Sequence, residues 1–116
     1  MALIYYVTQV QFDYGAVKLL KQECERVGIT RPLVVTDPGV KAAGVLQKAL
    51  DALEGIGGRP VAVFDQTPSN PTEAAVRAAV AVYRANRCDG LIAVGGGSAI
   101  DCAKGVAIAE IGRAHV

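Results

Sequence analysis

The chain has 116 residues, of which 52% are hydrophobic and 20% charged, and its formal net charge is +1. This length predicts one small domain, and the hydrophobic content excludes disorder of the whole chain. Because the chain has no basic run and only 5% aromatic residues, we expect no nucleic-acid partner. The apolar runs are far shorter than a membrane span and no basic leader opens the chain, so we expect no membrane partner and no signal peptide.

The three cysteines, Cys24, Cys88 and Cys102, lie far apart in the sequence. They form no CxxC or Cys/His spacing, so the sequence predicts reduced thiols rather than a zinc site. Reduced thiols favour a cytoplasmic location.

Strand-like and helix-like segments alternate along the chain. Four apolar runs predict strands at 3–7, 32–36, 60–64 and 90–94. The last three runs lack polar alternation, which is typical of strands buried on both faces of a parallel sheet. Apolar residues at spacings of three and four predict helices over 13–27, 38–53, 71–86 and 98 to about 109. A strand about every 30 residues, the length of a βαβ unit, predicts an α/β fold: an open, mostly parallel, Rossmann-like sheet with helices on both faces.

Three of the predicted helices begin with capping residues. Asp37 and Asn70 each precede a proline, and Ser98 stands three residues before Asp101. Asp, Asn and Ser are favoured N-caps, proline suits the first helical position, and an acid three residues after the cap completes a capping box. In a parallel sheet these caps lie at the carboxyl ends of the strands, where open α/β sheets bind ligands.

A run of three glycines, Gly95 to Gly97, separates the last strand from the last helix. Ordering these residues costs considerable chain entropy, and a tight turn alone would need only one or two glycines. Without side chains, the backbone N–H groups of Gly96, Gly97 and Ser98 can approach an anion, which the helix dipole also attracts. The pattern therefore favours a phosphate site, above all for the pyrophosphate of a nucleotide, over a turn without a ligand.

The glycine run does not match the common nucleotide-binding motifs. Ile100 stands where GxGxxG requires its third glycine, and no GK[ST] follows for a P-loop. The acidic residue of a usual Rossmann domain follows the glycine turn, whereas Asp37 precedes it here. The glycine turn and the acidic residue are thus both present, but in the opposite order along the chain.

Four segments form a distinctive set: VQFDYGAVKLL (10–20), VVTDPGV (34–40), QTPSNPTE (66–73) and DGLIAVGGGSAIDCAKGVA (89–107). Together they resemble the iron-containing, or group III, alcohol dehydrogenases, and the resemblance covers residues 1–109. Asp13 and Tyr14 depart from it, because smaller residues are commoner there. The resemblance implies an incomplete N-terminal NAD-binding domain of the dehydroquinate synthase-like fold. It also implies hydride transfer between an alcohol or aldehyde and nicotinamide in the parent enzyme.

The resemblance implies cofactor-binding roles for two of the capping residues. Asp37 is similar to the family acid that contacts the adenosine ribose. A carboxylate there repels a 2′-phosphate, which favours NAD over NADP. Asn70 is similar to the family residue near the adenine and ribose. For both residues, the alternative is a role as a helix N-cap without contact to a cofactor.

The resemblance also assigns the glycine turn and the helix after it. Asp101 is similar to the family aspartate near the nicotinamide, with the capping box as its alternative role. Lys104 belongs to the motif, and we expect it to pair with Asp101 on a solvated face. The pyrophosphate turn corresponds to Gly95, Gly96, Gly97 and Ser98.

The family's metal site has no counterpart in this sequence. Family members hold Fe²⁺ or Zn²⁺ through one aspartate and three histidines in an all-helical second domain, and the metal polarises the substrate oxygen. This chain contains one histidine, His115, so we expect neither metal ligands nor catalytic residues in it, and no activity of the chain alone. The resemblance implies that the parent is a homo-oligomer with a small alcohol or aldehyde as substrate.

The last residues, EIGRAHV (110–116), follow the similar segments. The codons GAG-ATC-GGA-AGA-GCA-CAC-GTC would encode them, and these codons contain the start of a common sequencing adapter. We therefore expect an incomplete domain over 1–109 and a non-native tail over 110–116. We also expect the last dozen residues to be frayed or without contacts, and the chain alone to aggregate or to be molten.

Two other interpretations stay open. One is a stand-alone nucleotide-binding module without catalysis, which the missing metal ligands favour. The other is the NAD-binding half of a dehydroquinate synthase-type lyase, although Ser98 and the run from Asp101 to Lys104 are more similar to the alcohol dehydrogenases.

Overall fold

The computed structural model describes the backbone of residues 3–7, 19–39, 44–70 and 72–114, and the side chains of these residues except those of 3–7 and 111–114. The strands within these ranges are β1 (Leu3–Val7), β2 (Pro32–Val35), β3 (Ala62–Phe64) and β4 (Gly90–Val94). The helices are α1 (Leu20–Arg26), α2 (Val45–Ala52), α3 (Glu73–Ala85) and α4 (Gly97–Ala114), with a 3₁₀ turn at Ile56–Gly58. No described helix is long and apolar enough to cross a membrane.

The four described strands form one parallel sheet in the order β1-β4-β2-β3. The register places Leu33 beside Leu91 and Val34 beside Ile92. Because the strands run in one direction, the carboxyl ends of β4, β2 and β3 lie side by side at one edge. The predicted α/β fold with a parallel sheet is confirmed.

Alternate side chains of the central strands enter two hydrophobic clusters on opposite faces of the sheet. Leu33 and Leu91 pack with α3 and α4, whereas Val34 and Ile92 pack with α1 and α2. All residues of β2 and β4 are buried, as predicted for strands covered on both faces. Two of the three residues of β3 are only partly buried, so the prediction of burial on both faces is wrong there. The reason is its place at the edge of the described sheet.

The predicted first and second helices differ from the structure within the described residues. α1 ends at Arg26, one residue earlier than predicted, and residues 13–18 of the prediction lie outside the described part. A single helix over 38–53 is wrong, because Gly44 has a left-handed backbone with φ +80° and α2 begins after it. Residues 40–43 lie outside the described part, whereas Pro38 and Gly39 are helical.

α3 begins later than the sequence pattern predicts, because a different residue caps it. The N–H of Ala75 donates a hydrogen bond to Oγ1 of Thr72 at 3.1 Å. Thr72 has an extended backbone, as an N-cap requires, and the helix starts at Glu73. The prediction of Asn70 as the N-cap is therefore wrong.

α4 begins earlier than predicted. The N–H of Ile100 donates to the carbonyl oxygen of Gly96 at 3.2 Å, which is the first bond of the helix. Ser98 therefore lies inside the first turn. A capping box formed by Ser98 and Asp101 is wrong, because Gly96 occupies the cap position.

The end of α4 packs against α3 further along the chain than predicted. Val106 is fully buried, and Glu110 is 8% exposed, with its Oε1 accepting a hydrogen bond from Nε of Arg84 at 2.8 Å. The two helices approach closely at Gly105, where an added Cβ would lie 2.9 Å from a methyl carbon of Val76. The expectation that the last dozen residues lack contacts is therefore wrong as far as Glu110.

Asp89 ties the amino ends of the two central strands together. Its carboxylate accepts hydrogen bonds from the N–H of Arg31 at 2.8 Å and from the hydroxyl of Thr30, also at 2.8 Å. The N–H of Thr30 donates to the same carboxylate at 3.1 Å. Partial burial acts to raise the pKa of Asp89, but these hydrogen bonds outweigh it and leave the pKa lowered.

A lowered pKa makes Asp89 a source of stability above the pKa of its unfolded form, and this stability is lost as the pH falls through the folded-state pKa. We expect Asp89→Asn to reduce the free energy of unfolding at pH 7 by about 1–2 kcal/mol, since the carboxylate is partly exposed. The difference from wild type should shrink below about pH 4. Urea unfolding of the parent protein at both pH values measures this, because the chain alone is expected to aggregate or to be molten. The exposed Glu54→Gln is the control. Equal losses in the two variants would contradict the role of Asp89.

Candidate cofactor-binding site

A cavity of about 440 Å³ lies at the carboxyl edge of the sheet. Its lining residues follow three adjacent strands, β4, β2 and β3, and comprise Asp37, Pro38, Gly39, Gln66, Thr67, Pro68, Ser69 and Ser98. The helices α2 and α4, which follow β2 and β4, pack on opposite faces of the sheet. The cavity therefore lies at a topological switch point, the place where open α/β sheets bind ligands.

Two larger cavities contain none of the predicted site residues. One, of about 690 Å³, lies between α2 and the start of β3. The other, of about 470 Å³, lies between α3 and α4. We take the smaller cavity as the candidate site because it combines the predicted residues with the switch point.

Asp37 directly follows β2 and lines the cavity. Its carboxylate lies against the start of the helical turn, since a Cβ added to Gly39 would be 3.2 Å from Oδ1 of Asp37. This position suits an N-cap, and Asp37 is at the same time part of the cavity lining. The two roles predicted for Asp37 are therefore compatible.

The three glycines of the turn meet different requirements. Gly95 has φ +133°, a conformation that side chains rarely adopt, so the backbone itself favours glycine there. A Cβ added to Gly96 or Gly97 would have no described neighbour within 4 Å. The described packing thus leaves open space at these two positions, and the approach of a ligand would account for their glycines.

The cavity lining combines groups of opposite electrostatic character. Among the described residues, Asp37 is the only charged member of the lining. Ser98, also in the lining, lies in the first turn of α4, an 18-residue helix whose first N–H groups have no acceptors within the helix. The helix dipole adds about half a positive charge at this end of the helix. A ligand that carries both hydroxyl groups and a phosphate matches these two features.

The structure brings together only part of the predicted site. Asp37 and Ser98 line the cavity, and the glycine turn leads directly into the helix that carries Ser98. Asn70 and Asp101 are exposed and are not part of the lining. Lys104 is exposed on α4, one turn beyond Asp101.

The loop after β3 belongs to the segment QTPSNPTE (66–73), within which the sequence resemblance implied a binding role only for Asn70. Gln66, Thr67 and Ser69 of this loop line the cavity. Thr67 is buried, and its hydroxyl has no hydrogen-bond partner among the described residues. Their position in the sequence could have identified them, because these polar residues follow an apolar strand at the same sheet edge as Asp37 and the glycine turn.

Other chemistry-bearing groups of the described chain point to no metal or reactive thiol. All three cysteines are free, and burial raises the pKa of Cys24 and of Cys88 to about 11. Burial also raises the pKa of Cys102, although the neighbouring Thr67 hydroxyl acts in the opposite direction. Within the described ranges, no three His, Cys, Asp or Glu residues are grouped so that they could hold a metal ion.

Comparison with known proteins identifies the family. The sequence model of the family "Iron-containing alcohol dehydrogenase" matches residues 7–111. The 4-hydroxybutyrate dehydrogenase of Cupriavidus necator is 67% identical over 108 residues, which cover 93% of this chain and 28% of that protein. The 1,3-propanediol dehydrogenase of Klebsiella pneumoniae is 39% identical over 108 residues, which cover 90% of this chain and 28% of that protein.

Solved structures agree with the sequence matches. A 1,3-propanediol oxidoreductase superposes with a TM-score of 0.76 at 34% identity, covering 93% of this chain and 26% of its own. The sulfoacetaldehyde reductase of Bifidobacterium kashiwanohense, in complex with NAD⁺, superposes with a TM-score of 0.70 at 28% identity. The match covers 90% of this chain and 26% of the reductase chain. The chain thus spans about a quarter of the length of these proteins. By its sequence and its fold, it belongs to the iron-containing alcohol dehydrogenases.

Proposed function

We propose that this chain is the NAD-binding part of a metal-dependent alcohol dehydrogenase, which transfers hydride between an alcohol or aldehyde and nicotinamide. The observation that carries the proposal is the cavity at the switch point, whose lining includes both Asp37 and Ser98 of the first turn of α4. Family membership supports the same function, and one structural relative was solved with NAD⁺.

The residues at the cavity fit the cofactor. In the proposal, Asp37 accepts hydrogen bonds from the adenosine ribose, and the N–H groups of Gly96, Gly97 and Ser98 hold the pyrophosphate. Gly95 allows the turn between β4 and α4, with its φ of +133°. The exposed Asn70 and Asp101 would then contact the adenine side and the nicotinamide end, where the cofactor extends beyond the cavity.

The described residues do not fit the catalytic metal. They include no group that could hold an ion, and the sequence contains one histidine. We therefore place the Fe²⁺ or Zn²⁺ site outside this chain and propose that the chain alone catalyses no hydride transfer. When bound, the metal supplies a Lewis acid that polarises the substrate oxygen.

The relatives suggest the class of substrate. Two of them are a 4-hydroxybutyrate dehydrogenase and a 1,3-propanediol dehydrogenase, and both named substrates are short primary alcohols with a second polar group. We propose a substrate of this class, with 4-hydroxybutyrate as the first to test because of the 67% identity. We further propose that the parent is a homo-oligomer in the cytoplasm, a reducing compartment that suits three free cysteines.

A stand-alone nucleotide-binding module is the second candidate, which the lack of a metal cluster among the described residues favours. The family match argues against a lyase of the dehydroquinate synthase type. A chimera separates the two remaining candidates. In it, residues 7–109 of this chain replace the matching segment of the Cupriavidus necator relative.

We expect this chimera to reduce NAD with 4-hydroxybutyrate only when Fe²⁺ or Zn²⁺ is present, because it combines the cofactor half with a metal half. We expect no such activity from the 116-residue chain. Absorbance of NADH at 340 nm, with and without a chelator, measures both. A folded chimera without activity would contradict the dehydrogenase proposal, as would metal-dependent NAD reduction by the chain alone.

Replacing Gly96 tests the pyrophosphate turn. We expect Gly96→Val in the chimera to abolish binding of NAD and ADP-ribose, because the side chain would hold the phosphate away from the N–H groups. Titration calorimetry measures the affinity, and thermal melting checks the fold. Ala81→Val, on the exposed side of α3, adds bulk away from the cavity and is the control. Unchanged affinity in the Gly96 variant would remove the turn from the site.

Replacing Asp37 tests the choice of cofactor. We expect Asp37→Gly in the chimera to raise the ratio of kcat/KM with NADP to that with NAD, because repulsion of the 2′-phosphate is removed. Asp37→Asn keeps a capping side chain without the charge, so it should raise the ratio as well. Steady-state kinetics with both cofactors measure the ratio. If neither variant changes it, Asp37 is only a helix cap.

A further inference from the structure

Two buried threonines follow neighbouring strands at the cavity edge, and they differ in one respect. Thr36, after β2, and Thr67, after β3, are 0% and 1% exposed. The hydroxyl of Thr36 donates a hydrogen bond to the carbonyl oxygen of Val94 at 2.7 Å. The hydroxyl of Thr67 has no hydrogen-bond partner among the described residues. A buried hydroxyl without a partner destabilises the fold, because it has lost its hydrogen bonds to water and gained none in the protein.

One neighbour of the Thr67 hydroxyl within the fold is the buried thiol of Cys102. The hydroxyl opposes the rise in the pKa of this thiol that burial causes. Any hydrogen bond from the hydroxyl to the sulfur is weak, because sulfur is a poor acceptor. The O–H of Thr67 therefore still lacks a good acceptor.

The chemistry of the cavity defines the missing acceptor. Asp37 and Thr67 line the same cavity, where the carboxylate can only accept hydrogen bonds and the threonine has one to donate. A ribose hydroxyl suits both residues at once, because its O–H donates to the carboxylate while its oxygen accepts from the threonine. A phosphate suits Thr67 only, and the charge of Asp37 repels it.

We propose that Thr67 is a further cofactor-binding residue, whose hydroxyl donates a hydrogen bond to a hydroxyl oxygen of the adenosine ribose beside Asp37. This inference rests on the proposed function, since it requires a nucleotide in the cavity. The hydroxyl is shielded from water in the described structure. A rotation about the Cα–Cβ bond is the movement by which it would turn toward the bound ribose.

The test compares ADP with 2′,3′-dideoxy-ADP, which lacks both ribose hydroxyls, by titration calorimetry on the chimera. We expect Thr67→Val to weaken ADP binding roughly five- to tenfold, the effect of one lost hydrogen bond. Binding of the dideoxy compound should not change, and Thr67→Ser should restore most of the ADP affinity. The melting temperature of Thr67→Val should not fall, because a methyl group replaces an unsatisfied hydroxyl of the same size.

Thr36→Val is the matched control, because it removes a hydroxyl whose hydrogen bond is satisfied within the fold. It should lower the melting temperature and keep the preference for ADP over the dideoxy compound. Equal weakening of both ligands by Thr67→Val would overturn the inference. Unchanged ADP binding by Thr67→Val, together with loss of binding by Gly96→Val, would overturn it and leave the proposed function standing. If the chimera without further substitutions binds no ADP, both the inference on Thr67 and the proposed function are contradicted.

Discussion

The complete burial of β4 is the constraint on which the other features depend. Every residue of this strand is buried, with β1 and β2 along its edges and hydrophobic clusters on both faces. A strand enclosed in this way must pair its backbone groups with its neighbours, which fixes both registers. Asp89 at one end of β4 and the glycine turn at the other are therefore attached to a strand that is enclosed on both edges and both faces. A site that starts from such an element is positioned before any ligand arrives.

The fold separates the tasks of holding the chain together and of meeting a ligand. At the amino edge, the carboxylate of Asp89 accepts hydrogen bonds from Thr30 and Arg31. At the carboxyl edge, the lining of the cavity includes a carboxylate, a shielded hydroxyl and the first turn of a long helix. The carboxylate at the first edge is satisfied within the protein, whereas the function proposed above assigns the groups that line the cavity at the second edge to a cofactor. In that proposal, the two edges of one sheet serve stability and binding separately.

The sequence allowed the sheet to be predicted better than the helix ends. The runs that became β2 and β4 are continuously apolar, and only burial on both faces suits such runs. At the start of α3, by contrast, Asn70 and Thr72 are both good caps two residues apart, and the three-dimensional path of the loop selects Thr72. Gly44 interrupts a helical pattern that its neighbours continue, because its backbone is left-handed. The unsatisfied hydroxyl of Thr67 could not be predicted, since it depends on which atoms lie opposite in the folded chain.

The close approach of α3 and α4 at Gly105 has a consequence for the position of the cavity lining. A Cβ at Gly105 would lie 2.9 Å from a methyl carbon of Val76, so the two helices meet with no room for one more carbon atom. Turning or sliding α4 would drive its backbone into that side chain, and close-packed interiors resist such displacement. This contact therefore fixes where α4 lies along α3. With it, the fold fixes the position of the first turn of α4, which carries Ser98 of the cavity lining.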